Sequence, residues 1–231
     1  MTELTADELP NERIIAIDGT SGSGKSTVAR GLGKDLGMHV LETGSLYRAV
    51  TLICLENDID VHDEDAVCVA VEEMDFRYEG EPYLGLRHIN ADIRAREVAM
   101  NVSLVSVHPR VRAMLTQLMR HWIVQHGGGV IEGRDITTVV APQAKVRVYI
   151  DAPEDVRAAR RHSDPSDNTE NRSQSEIQEV IAFRDNLDST RTASPLVRAD
   201  GVPEIDSSLY SAEKIISAIM ESFASGEPVL L

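Results

Sequence analysis

The sequence predicts an α/β fold, a parallel sheet with helices on both faces. Three observations carry that expectation. Short apolar runs at Ile14–Ile17, Val130–Ile131 and Val146–Ile150 have the texture of buried strands. Segments with apolar residues at helical spacing separate them, and strands alternating with helices make parallel sheets. The first apolar run also enters a glycine-rich loop that opens directly into a helical pattern.

Residues 1–12 are acidic and polar and read as a flexible tail, not as a signal peptide. Ile14–Ile17 is the first strand, followed by a helix from Lys25 to Leu36. Met38–Leu41 reads as a second strand and Leu46–Leu55 as a helix. From about Val61 the texture changes. Asp63–Met74 is helical, while Asp75–Tyr78 and Tyr83–Ile89 pair as a hairpin across Glu79-Gly80-Glu81-Pro82. This piece interrupts the β/α rhythm and reads as an insertion. Val98–Val105 is short and apolar. Pro109–His126 is an amphipathic helix with Val111, Met114, Leu115, Leu118 and Trp122 on one face, started by proline and stopped by Gly127-Gly128-Gly129.

Val130-Ile131 then leads into Glu132-Gly133-Arg134-Asp135, and Val146–Ile150 ends at Asp151. Pro153–Arg161 is a helix holding Arg157, Arg160 and Arg161. Ser163–Ser175 is an almost wholly polar loop, and Glu176–Phe183 is helical again. Helix, polar loop and helix together read as a lid that brings arginines over phosphates. Ala212–Phe223 is a last amphipathic helix.

At 231 residues, 42% of them hydrophobic, the chain can bury one sizeable core with room for a small inserted domain. The net charge of −15 argues against a nucleic acid polymer or an anionic membrane as partner. A single mononucleotide is compatible with it, because a local arginine cluster can outvote the global charge. Cys54 and Cys68 sit in apolar segments outside any metal-ligand spacing and read as buried free thiols. No apolar run is long enough to span a bilayer, so a cytoplasmic protein is expected.

Gly19-Thr20-Ser21-Gly22-Ser23-Gly24-Lys25-Ser26 matches G-x-x-x-x-G-K-S, with Thr27 next. Backbone N–H groups of such a loop, and the positive end of its helix, face a polyphosphate. Lys25 would reach the β- and γ-phosphates, and the Ser26 hydroxyl would help hold Mg²⁺. The chain lacks an Asn-Lys-x-Asp segment for guanine and a clear Walker B strand with paired acids. It has instead arginines at loop positions and strand ends: Arg48, Arg94, Arg112, Arg134, Arg184 and Arg191. Phosphoryl transfer is mostly positioning and charge neutralisation, so a phosphorylated acceptor calls for cations beyond those that hold the donor.

In this order, the P-loop, Thr43-Gly44-Ser45-Leu46-Tyr47-Arg48, Ile93-Arg94-Ala95-Arg96-Glu97-Val98-Ala99, Pro109-Arg110-Val111-Arg112, Gly133-Arg134-Asp135 and the Arg184–Arg191 segment resemble bacterial cytidylate kinases over about residues 13–222. The resemblance implies a P-loop nucleoside-monophosphate-kinase fold. Its core would be 13–60, 96–154 and 176–231, with an inserted monophosphate-binding domain at 61–95 and a helical lid at 155–175. It implies transfer of the γ-phosphoryl group of ATP, with Mg²⁺, to CMP or dCMP by a monomer. Gly19 to Thr27 would hold the ATP phosphates, with Arg157 and Arg161 as lid arginines on ATP. Thr43, Tyr47 and Arg48 would belong to the CMP site, Thr43 and Arg48 holding its phosphate. Ser103, Arg112 and Asp135 would read cytosine, Arg184 and Asp188 would hold the sugar, and Arg191 the phosphates. Lys25, Arg134 and Arg191 would act at the reacting centre.

Three positions depart from the family pattern. Glu42 and Thr43 stand where aspartate and serine are usual, and the threonine keeps the hydroxyl. Thr137 replaces a frequent glycine and restricts the backbone after Asp135.

Overall fold

The computed structural model describes residues 2–163 and 173–231. Its larger sheet contains β1 (Ile14–Gly19), β2 (Val40–Glu42), β6 (Gly129–Gly133), β7 (Val146–Asp151) and β8 (Glu204–Asp206). All pairs are parallel, in the order β2–β6–β1–β7–β8. Successive β1 side chains serve opposite faces. Ile14 and Ala16 join Val50 of α2 (Gly44–Glu56), Val67 of α3 (Glu64–Glu72) and Leu115 of α5 (Pro109–His126). Ile15 and Ile17 join Leu32 of α1 (Lys25–Leu36) and Ile215 and Ile219 of α8 (Ala212–Ser225). Cover on both faces explains why these strands read as continuous apolar runs. The short edge strand β8 contributes one buried apolar side chain, Ile205, too little for a pattern.

The expected hairpin is instead a three-stranded antiparallel sheet of β3 (Phe76–Tyr78), β4 (Pro82–Leu84) and β5 (Arg87–His88). Gly85, at a φ of 56°, makes a second turn that splits the run expected to be one strand. The Val98–Val105 stretch lies in helix α4 (Arg96–Ser106). Helix α5 has the expected ends, with Pro109 in its first turn and Gly127 in the left-handed conformation after it. Its buried stripe is Val111, Leu115, Met119 and Ile123, one flank round from the expected face, with Met114, Leu118 and Trp122 only partly buried.

The N-terminal residues expected as a flexible tail are docked on α5. The Leu4 N–H donates to Gln117 Oε1 at 2.8 Å, and its carbonyl accepts from Arg120 Nη1 at 2.7 Å. Leu9 is buried in the core. The helices flanking the polar loop are α6 (Glu154–Ser163) and α7 (Gln174–Thr190). Ser163, Gln174 and Ser175 are therefore helical, and residues 164–172 of the expected lid loop lie outside the described residues. Helix α7 continues well past Phe183.

Strands β2, β6, β1 and β7 end side by side, with Glu42 paired to Glu132, Asp18 to Gly133 and Gly19 to Ile150. Ligands of open α/β sheets bind outside these carboxyl ends.

Candidate active site

The phosphate loop is built by close packing at the end of β1. Gly19 has a φ of 148°, and a Cβ there would lie 1.8 Å from the Ile150 carbonyl oxygen. Gly24, left-handed at 91°, turns the chain into α1. Lys25 is folded onto its own loop, Nζ donating to the Thr20 carbonyl at 2.6 Å. Burial, then the neighbouring Arg134, push its pKa down to about 7. The Ser26 hydroxyl donates to Glu132 Oε1 at 3.1 Å, and the Thr20 hydroxyl to Asp151. The Thr27 side chain is exposed on the first turn of α1.

A cleft opens in front of this loop. It is lined by Ser21, Gly22, Lys25 and Ser26 of the loop region, Ser45 and Arg48 of α2, Arg94, Arg134 beyond β6, Arg161 of α6 and Arg184 of α7. Its acids among the described residues are Glu42 and Glu132. Arg30 Nε donates to Glu42 at 2.6 Å, yet burial and then Glu132 still raise the Glu42 carboxyl above its ordinary range. Burial, then Arg134, push Arg184 down to about 10. Burial alone would raise the Asp188 carboxyl, but Arg134, Arg184, Arg191 and Arg112 together hold it below the usual carboxylate range. Arg134 Nε donates to Asp188 at 3.2 Å.

Behind the cleft lies a buried polar cluster. Arg112 Nη2 donates to Asp135 Oδ2 at 2.6 Å, and Nη1 to the Ser106 carbonyl at 3.1 Å. The Arg112 guanidinium stands 5.1 Å from the centre of the Tyr47 ring. Arg191 Nη1 donates to Asp188 Oδ1 at 2.9 Å. Here the buried Tyr47 hydroxyl, Arg112 Nε and Arg191 Nη2 have no hydrogen-bond partner among the described residues. Such atoms are costly unless something satisfies them.

The turn after Asp135 is held by Asp18, which accepts from the Ile136 N–H at 2.8 Å, the Thr137 N–H at 2.7 Å and the Thr137 hydroxyl at 2.6 Å. Burial pushes the Asp18 carboxyl up to about 6 against these three donors. Thr137 thus has a defined structural partner.

Not every expected residue faces the cleft. Thr43 is buried, its hydroxyl donating to the Glu132 carbonyl at 2.8 Å, and Ser45 lines the cleft instead. Ser103 lies on α4 one turn before Ser106. Arg157, expected on ATP, is buried: Nη1 donates to the Ser21 carbonyl at 3.0 Å and to Asp185, and Nε to the Ala152 carbonyl at 2.8 Å. Arg191 belongs to the buried cluster, away from the cleft lining. Sequence reasoning missed the roles of Asp18, Ser45, Glu132 and Asp185. Glu132 was signalled by its place one residue before Gly133-Arg134-Asp135, at the end of a buried strand. Asp185 was signalled by its spacing from Asp188 on one helix.

The strand-loop-helix with a cation-lined cleft at the sheet's carboxyl ends defines a P-loop kinase. The protein-family model for cytidylate kinase matches residues 15–225. A cytidylate kinase of Carboxydothermus hydrogenoformans is 38% identical over 221 residues, covering 94% of this chain and 99% of its own. Cytidylate kinases of Mycobacterium leprae and Pediococcus pentosaceus are 38% and 35% identical, covering 90% and 91% of this chain and 94% and 95% of their own. The chain belongs to the cytidylate kinase family and is an enzyme that phosphorylates a nucleoside monophosphate. Among the described residues, no helix is long and apolar enough to cross a membrane.

Proposed function

We propose that this chain transfers the γ-phosphoryl group of ATP to the α-phosphate of CMP or dCMP. One observation carries the reading. In a chain of net charge −15, six cations among the described residues, Lys25, Arg48, Arg94, Arg134, Arg161 and Arg184, line one cleft beside a P-loop, with Glu42 and Glu132 among them. Burial first, and then the neighbouring Arg134, drive the downward shifts of Lys25 and Arg184. The phosphates of two bound nucleotides would meet these cations.

In this reading the loop from Gly19 to Thr27 cradles the donor phosphates, and Arg161 approaches them from α6. Arg48 holds the acceptor phosphate. Arg134 sits between donor and acceptor, where charge develops on the transferring group. The acceptor phosphate is already ionised at neutral pH and attacks directly, so no protein base is required. Asp188, flanked by Arg134 and Arg191, meets the sugar with Arg184. Ser26 and Glu132 offer the hard oxygen donors that suit Mg²⁺. When bound, that ion would neutralise phosphate charge. The small β3–β5 sheet belongs to the acceptor-binding domain at 61–95, and α6 and α7 flank the lid.

Base choice falls to the buried cluster. An ionised Asp135 can only accept hydrogen bonds, and Arg112 can only donate. Cytosine offers an N4 amine to the first and N3 and O2 to the second. Uracil offers the opposite at positions 3 and 4. The unpartnered Arg112 Nε and Tyr47 hydroxyl support a ligand completing this site.

The test is kcat/KM with ATP over CMP, dCMP, UMP and AMP. CMP and dCMP should be the best acceptors, and Asp135→Asn should bring the CMP to UMP ratio toward one, chiefly by loss of CMP activity. An equal fall for both acceptors would make Asp135 a scaffold residue. Better turnover of UMP or AMP by the wild type would overturn the substrate assignment.

A further inference from the structure

One residue of the phosphate loop, Ser21, is gripped through both of its main-chain groups by side chains from outside the loop. The Ser21 N–H donates to Asp185 Oδ1 at 3.1 Å, and the Ser21 carbonyl accepts from Arg157 Nη1 at 3.0 Å. Asp185 Oδ2 pairs with the same Arg157 nitrogen, which closes the ring. Arg157 Nε donates to the Ala152 carbonyl at 2.8 Å, tying the ring to the chain just after β7. Arg157 is 8% exposed at its side chain and Asp185 16%, so the pair is shielded from solvent screening. The next loop residue, Gly22, leaves no slack: a Cβ there would lie 3.3 Å from Arg157 Cβ.

Asp185 stands on α7 between Arg184, which lines the cleft, and Asp188, which holds Arg134 and Arg191. A helix moves as a unit. A displacement of α7 on engagement of Arg184 or Asp188 would be passed through Asp185 to the Ser21 main chain.

We propose that Asp185 is a positioning residue that couples the two nucleotide sites: occupancy of the acceptor site sets the phosphate loop for the donor, and the reverse. This rests on the reading that Arg184 and Asp188 meet the acceptor and that the loop holds ATP. Arg157 is the second half of the device. It grips the carbonyl of the same residue, Ser21, which a lysine cannot do while also reaching Asp185 and Ala152.

Coupling between sites is measured directly as the change in affinity for one ligand caused by the other, and the two directions must agree. CMP affinity is measured by calorimetry with and without Mg²⁺ and a non-hydrolysable ATP analogue, then in the opposite order. The wild type should show reciprocal tightening of about 5-fold or more, the lower end of ordinary coupling. Asp185→Asn keeps an oxygen to accept from Ser21 N–H but loses the charge opposite Arg157. It should bring the factor to within about twofold of one, while the affinity for CMP alone stays within about threefold. Arg157→Met should do the same, and the double variant should be no worse than either single one, since they cut the same link. Arg157→Lys, the milder change, keeps the test open if a harsher variant does not fold, and should lower the factor part of the way.

Unchanged coupling in folded Asp185→Asn, or a wild type whose two ligands bind independently, would overturn the proposal. In the second case the functional reading survives, because both nucleotides still bind. A wild type that binds neither nucleotide would instead sink that reading.

Discussion

Helices α5 and α7 are nearly the same length, 18 and 17 residues, and each turns one stripe inward. The α5 stripe is apolar for four turns, through Val111, Leu115, Met119 and Ile123. The α7 stripe starts the same way, with Ile177 and Ile181, and then becomes Arg184 and Asp188 at the same helical spacing. One helix buries its face against the core of the fold. The other turns half of its face to charged partners, Arg184 lining the cleft and Asp188 meeting Arg134 and Arg191. Position on a helix decides what faces inward, and side-chain chemistry decides whether that face serves stability or function.

The sharpest way to break this comparison is to exchange the two kinds of loss. Leu115→Ala should lower unfolding stability by about 2.7–5 kcal/mol, the range for a large side chain removed from a tight core. At about 2–4 °C of Tm per kcal/mol, a thermal melt would read it clearly, while KM for both substrates should stay near wild type. Arg184→Met should do the reverse. It removes a cation already disfavoured by burial and by Arg134, and Asp188 keeps Arg134 and Arg191, so Tm should hold or rise. Turnover should fall by about 10²-fold or more, as for the loss of one preorganised charge contact. A large fall in Tm for Arg184→Met would show that the charged half of α7 also holds the fold.

Lys25 gives the next effect. Lys25→Met should reduce turnover by roughly 10²–10³-fold, about 2.7–4 kcal/mol of transition-state stabilisation. Its effect on the ligand-free protein has the opposite sign. The folded pKa is about 7 against an ordinary 10.5, so between those values the unfolded chain holds a proton that the folded chain lacks. Stability of the wild type therefore rises with pH across that window, and below it the burden of burying the ammonium is complete. The Tm gain of Lys25→Met should be largest below pH 7 and vanish toward 10.5. A gain independent of pH would mean that it comes from packing and not from charge.

The fold was legible where burial is apolar. Strand β1, the loop, α1, β7 and both ends of α5 follow from apolar runs, glycine and proline. The second half of α7 was hidden because hydrophobic periodicity cannot register a stripe of Arg184 and Asp188. Strand β8 was hidden because one buried isoleucine makes no alternation, and the docking of Leu4 rests on backbone hydrogen bonds to Gln117 and Arg120 that leave no trace in composition. Within the site, the motif residues Lys25, Arg48, Arg134 and Arg184 do line one cleft. Arg157 grips the Ser21 carbonyl in this structure, and a lone arginine near a phosphate loop looks the same in sequence whether it meets a ligand or the loop's own carbonyl. Place and spacing mark Glu132 and Asp185 in the sequence, but the partners of Glu132, Asp18 and Asp185 lie on other elements, and spacing along the chain does not name them.

The smallest expected effect concerns Thr137, a residue that holds the site without touching the cleft. Thr137→Val keeps the shape but removes one of three donors to Asp18, leaving the two backbone N–H groups. A hydrogen bond to a charged group contributes about 1.5–3 kcal/mol, and the two remaining donors should keep the loss near the lower figure. Thr137→Ser retains the hydroxyl and should lose less. The sign of the pH dependence separates this account from simple packing. Burial raises the folded Asp18 carboxyl to about 6 from an ordinary 3.8, so its contribution to stability declines as pH rises through that window. Without the Thr137 hydroxyl the carboxyl should shift higher still. The gap in Tm between Thr137→Val and the wild type should then be small at pH 5 and widen as pH rises through about 6. A gap of equal size at pH 5 and pH 8 would place the effect in packing, and the ionised Asp18 would not be what anchors the turn after Asp135.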